Sequence, residues 1–106
     1  MKGPRYFREA LAEYEDAAAY YEMQAPGLGD RLVCMIDEAL ALAMEFPLAG
    51  KRVEDAPARY ELRQQVLAVF DIKVIYTVRD DTLLVVAVFH GHRRPGYWLE
   101  RLQKLG

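Results

Sequence analysis

From about Phe7 to Gln24, the apolar residues Leu11, Tyr14, Ala17, Ala18 and Tyr21 recur at spacings of three and four, while Glu9, Glu13, Glu15, Asp16 and Glu22 fall largely between them. That period predicts an amphipathic helix. Pro26-Gly27-Leu28-Gly29 ends it, since proline and glycine are poor helix interiors. Asp30 then stands where a side-chain oxygen can cap the next helix, Arg31 to Glu45. Leu32, Ile36, Ala39, Leu40 and Ala43 form its main stripe, and Phe46-Pro47 closes it. Met35, Leu42 and Met44 lie partly off the stripe, as in a helix buried all round or in one that offers a groove to a second chain. Two helices joined by so short a turn predict an αα-hairpin.

After a loop over residues 48–58, marked by Gly50 and Pro57, the period drops to two. Tyr60 to Val66, Phe70 to Val78 and Leu83 to Phe89 read as strands. In the second, Phe70, Ile72, Val74, Tyr76 and Val78 face one way, and Asp71, Lys73, Thr77 and Arg79 the other. Asp80-Asp81 fits a hairpin turn. The third is apolar throughout, too short to cross a bilayer and suited to a central strand covered on both faces. Residues 5–7 give a weak signal for a first strand, and Trp98, Leu102 and Leu105 predict a short closing helix. The expectation is an α+β fold in the order β-α-α-β-β-β, with a helical hairpin packed on one face of a small antiparallel sheet. The opposite face would carry Glu61, Arg63, Gln65, Asp71, Lys73 and Ile75 beside an apolar row from the last strand. Such a row on a bare sheet predicts an interaction surface for a foreign chain.

With 106 residues and an apolar fraction of 53%, the chain is expected to form one domain, residues 1–106, and to be ordered. Neither a membrane span nor a signal peptide is evident, and Cys34 is the sole cysteine, which rules out an internal disulfide and fits a reducing cytoplasm. Nothing beside Cys34 would activate it as a nucleophile. The net charge of −2 is uneven: residues 1–50 hold four basic and nine acidic side chains, and residues 51–106 hold ten basic and seven acidic. This balance argues against binding nucleic acid by bulk charge and permits a local basic site in the second half.

Four segments carry a resemblance: Ala17–Glu22 (AAAYYE), Pro26–Arg31 (PGLGDR), the Phe70–Tyr76 strand and Ala87–Trp98 (AVFHGHRRPGYW). Together they resemble the RelE/ParE toxins of type II toxin–antitoxin systems, in particular the ParE-like branch. His90, Arg93, Pro95 and Trp98 fill that branch's V-x-H-x-x-R-x-P-x-x-W ending. Phe70-Asp71-Ile72 departs from the Phe-Pro-Tyr common before the middle strand, and the first strand is less marked than usual. The resemblance implies a toxin neutralised by a co-expressed antitoxin, whose C-terminal segment wraps it in a hetero-oligomer. ParE-like members inhibit DNA gyrase, RelE-like members cut mRNA on the ribosome, and the shared fold does not decide between them. The first reading is a toxin that binds a protein target such as DNA gyrase without covalent chemistry. The alternatives are a ribosome-dependent mRNA endonuclease and an inactive member that serves only as an antitoxin-binding module.

Arg63, Lys73, His90, His92, Arg93 and Arg94 are the candidate partner-binding residues. No catalytic residue is assigned on the first reading. RNA cleavage through a 2′-hydroxyl needs a base, an acid and cations, which His92, Arg93, Arg94 and Tyr97 would supply, with Arg63 as a further cation. His90 and His92 would share a face on a continuing strand, but a metal needs a third ligand, so no metal or cofactor is expected. His90 reads better as a hydrogen-bonded end to its strand. Arg93 and Arg94 suit either ion pairs with the acidic first helix or forks onto an antitoxin's carboxylates. Tyr14 and Tyr21 read as core and, with Tyr20, also as a stacking platform.

Overall fold

The computed structural model describes residues 1–106. Strand β1 (Lys2–Tyr6) leads into helices α1 (Arg8–Gln24) and α2 (Leu28–Glu45), followed by strands β2 (Lys51–Arg52), β3 (Arg63–Leu67), β4 (Ile72–Arg79) and β5 (Thr82–His90). Short 3-10 turns cover Ala58–Tyr60 and Leu99–Leu105, the second standing where a closing helix is expected. The strand order is β1-β5-β4-β3-β2. The helical hairpin and the β-α-α-β-β-β order are as the sequence predicts. The sheet is mixed, because β1 pairs with β5 in parallel while the other pairs are antiparallel. Strand β2, inside the expected loop, adds a two-residue edge.

The PGLG turn owes its shape to Glu22, not to Asp30. The Glu22 carboxylate accepts the N–H groups of Gly27 (2.9 Å) and Gly29 (3.0 Å), which satisfies donors at the start of α2. Asp30 lies inside the first turn of α2, and the cap residue Gly27 takes φ +84°, a conformation that favours glycine. A Cβ on Gly29 would stand 2.4 Å from the Ala18 carbonyl oxygen, so the two helices approach more closely than any side chain there allows.

The inner core joins Leu32, Ile36 and Leu40 of α2 to Ile72, Val74 and Tyr76 of β4 and to Leu83, Val85 and Val88 of β5. Tyr14 and Tyr21 pack against it, as do Met35 and Met44, whereas Tyr20 and Leu42 remain exposed. Asp80 and Asp81, both at positive φ, form the β4–β5 turn. Ile75 pairs with Ala87 and Tyr76 with Val85, so Val86 is an extra residue in β5. This bulge turns both Val86 and Ala87 to the outer face and returns Val88 to the inner one.

Two expectations about the outer face are corrected. Arg63 pairs with Tyr76 and Gln65 with Val74, so both belong to the helix-facing side of β3. The stretch Arg63–Val66 has no apolar alternation to fix its register, and the turn into β4 sets it instead. Nor is the outer face of β4 and β5 open to a foreign chain. Trp98 and Leu102 fold back onto Ile75, Val86 and Ala87, and Val53, Tyr60 and Leu62 complete a second core.

Candidate functional site

Strand β1 is shorter than its neighbour. It reaches Val85, where the Phe7 N–H bonds the Val85 carbonyl, while β5 runs on to His90. Past that point the edge of β5 has no strand beside it, and side chains take over its backbone groups. Glu13 of α1 accepts the Val88 N–H at 3.1 Å, and the Arg101 guanidinium donates to the Val86 carbonyl at 3.0 Å. Arg101 also forks onto Glu13 through bonds of 2.7 and 2.9 Å. The Tyr97 hydroxyl donates to the same carboxylate. The Glu13 and Arg101 side chains are only 15% and 13% exposed, so the pair is sheltered from solvent screening. Burial, and then the bond to Glu13, push the Tyr97 hydroxyl above its ordinary range. Burial opposes the charge on Arg101, but its bonds and attraction to Glu13 outweigh that and raise its pKa. One turn away on α1, Glu9 is bonded by Lys104, which holds its carboxyl below the usual range.

This clamp anchors the polar loop that follows β5. His90 faces α1, with its ring 5.8 Å from that of Tyr21 and 6.2 Å from that of Tyr20. The His92 Nε2 lies 3.2 Å from an Asp71 carboxylate oxygen, and both side chains are largely exposed. Arg93 lays its guanidinium 3.9 Å above the Tyr97 ring and reaches Glu13 only at 3.9 Å. Arg94 is exposed and joins none of the ion pairs. Two clefts meet at Arg93. One, of about 460 Å³, lies between α1 and β5 and is walled by Asp16, Tyr20 and His90. The other, of about 170 Å³, lies on the outer face beside Lys73, Phe89 and Trp98.

Of the candidate partner-binding residues, His90, His92, Arg93 and Arg94 therefore form one corner, and Lys73 adjoins it through the outer cleft. Arg63 does not. It lies on the other side of the sheet, donating to the carbonyls of Gly50 at 2.9 Å and Leu48 at 3.4 Å. His90 and His92 do not share a face either, because β5 ends at His90 and the chain turns. Glu13 and Arg101, which hold this corner, were not singled out by the sequence pattern, whereas Asp71 entered it only as an outer-face position and as part of the Phe70-Asp71-Ile72 departure.

A family model for the ParE toxin of type II toxin–antitoxin systems, parDE, matches residues 5–95. The chain belongs to the ParE toxin family. The match covers both helices, the whole sheet from Arg5 onward and the loop as far as Pro95, whereas Tyr97, Trp98 and Arg101 lie beyond it. No curated protein matches this ParE-family chain. No helix in it is long and apolar enough to cross a membrane.

Proposed function

We propose that this ParE-family toxin is neutralised by a cognate antitoxin and stops growth by binding a protein target in the cytoplasm, with DNA gyrase the leading candidate. The observation that carries the non-catalytic reading is the state of Tyr97. A nuclease that used that hydroxyl as its acid would need it turned toward the scissile phosphate, but here it donates to Glu13 inside the Arg101 clamp. Arg93 is likewise engaged, with its guanidinium stacked over the Tyr97 ring. What remains at the corner suits recognition: the exposed His92 and Arg94, the half-exposed Arg93, and Lys73 across the outer cleft.

One observation favours a second reading. His92 has a carboxylate, Asp71, at 3.2 Å, and a histidine oriented in this way beside two arginines has the chemistry of a general base for ribosome-dependent mRNA cleavage. Two assays on the purified chain separate these readings. Inhibition of gyrase supercoiling without cleavage of mRNA on programmed ribosomes supports the first. Cleavage abolished by His92→Ala supports the second. Silence in both, with tight binding to the product of the adjacent small reading frame, identifies an inactive antitoxin-binding member. In cells, expression of the chain alone is expected to arrest growth, and the adjacent gene to restore it.

A further inference from the structure

A second cationic site lies at the opposite edge of the sheet from the His90–Arg94 corner. Arg52 of β2 and Arg63 of β3 are direct cross-strand partners. Like charges so placed repel each other. Neither arginine takes part in any of the chain's ion pairs. Arg52 is exposed, and Arg63 commits only Nη1, to the carbonyls of Leu48 and Gly50. A guanidinium carries five N–H donors, so the pair keeps most of its donors free. A charge on a short edge strand discourages unwanted strand pairing. Lys51 meets that need and leaves two facing arginines unexplained.

The two arginines border a pocket of about 220 Å³ whose wall includes Pro47, Leu48 and Leu62, with Glu61 as its carboxylate. Beside it, the end of α2 leaves apolar surface uncovered: Leu48 is 75% exposed, Phe46 56% and Leu42 47%. Leu42 lies in the last turn of α2 and Phe46 is the residue that caps it. A pair of unsatisfied guanidinium forks beside an apolar shelf matches a carboxylate flanked by a large apolar side chain. A phosphate backbone could use the guanidiniums but would leave the apolar shelf uncovered, and the chain's net charge of −2 argues against holding nucleic acid by bulk charge.

We propose that this edge docks an acidic segment of the antitoxin, with an Asp or Glu bridging Arg52 and Arg63 and an adjacent apolar side chain resting on Leu48 and Phe46. The inference rests on the reading that the chain is paired with an antitoxin, and it places the contact away from the corner assigned to the toxic target.

The test uses full-length toxin and, as probe, the purified full-length product of the adjacent reading frame, titrated by calorimetry at low and high salt. Arg52→Glu and Leu48→Asp alter side chains outside both cores and are expected to leave thermal melting unchanged. Each is expected to weaken binding by about tenfold or more, with Arg52→Lys closer to wild type and Arg52→Glu showing a shallower salt dependence. Wild-type affinity in both variants, with loss only in Arg93→Glu/Arg94→Glu, would overturn this placement and leave the antitoxin pairing intact. Absence of binding by the unaltered chain would overturn the pairing and this site together. Binding of a single-stranded oligonucleotide that Arg52→Glu abolishes would also overturn it, in favour of a nucleic-acid site.

Discussion

Removing the Glu13 carboxylate is the most direct probe of how the polar corner is held. Glu13→Ala takes the acceptor from the Val88 N–H, from both arms of Arg101 and from the Tyr97 hydroxyl. Arg101 would keep only the Val86 carbonyl, as a guanidinium with 13% of its side chain exposed. Breaking a buried pair by deleting one partner costs about 3–5 kcal/mol, because the other charge is left uncompensated. A domain of this size has about 5–15 kcal/mol of stability in all, so the variant should remain folded but melt roughly 10–20 °C lower. Trp98, the single tryptophan, is buried in the segment between Tyr97 and Arg101, so its fluorescence in a urea titration reports the change directly. The double variant Glu13→Ala/Arg101→Met should cost little more than Glu13→Ala alone, so the coupling in the cycle should match the cost of Arg101→Met by itself, about 3 kcal/mol. A loss below about 1 kcal/mol for Glu13→Ala, or a coupling near zero, would refute the idea that this pair stands in for the missing strand.

Gly29→Ala is expected to destabilise by about 1–3 kcal/mol, since the new methyl would meet the Ala18 carbonyl and force the helices apart; thermal melting measures it. The hydroxyls of Tyr6, Tyr14 and Tyr97 are all raised, chiefly by burial, Tyr6 to about 12. A folded-state value above the unfolded one gives stability that is complete below about pH 10 and is lost as pH rises through the folded values, so urea midpoints should fall in that range and Tyr97→Phe should flatten the fall. His92→Ala, with a side chain 92% exposed, should change stability by less than about 0.5 kcal/mol yet relieve growth arrest if the corner meets the toxic target.

The helical hairpin was legible because a 3.6-residue period survives even where α1 buries little, and the β4–β5 hairpin because alternation and a tight Asp-Asp turn agree. The bulge was not legible. A run that is apolar at every position carries no phase, so nothing in Leu83–Phe89 says where it switches faces. For the same reason Arg63 was assigned to the wrong side of β3, whose polar residues leave its register to the turn. His90 to Arg94 were readable as a site because they are contiguous and polar. Glu13 and Arg101 were hidden by their separation of 88 positions in the chain. A usable clue existed in the strand lengths. The first strand has five residues and the last has nine, so several donors and acceptors on the longer one must find partners that are not strand backbone. In a helix that follows a short first strand, an acidic residue within the first two turns is then well placed to reach that edge. Among the cations that join no ion pair, Arg94 lies at one end of the sheet and Arg52 and Arg63 at the other. One partner could touch both only by wrapping the molecule, whereas two partners could each take one end. Charge reversal at one end at a time therefore tells a wrapping antitoxin from a division of labour between antitoxin and target.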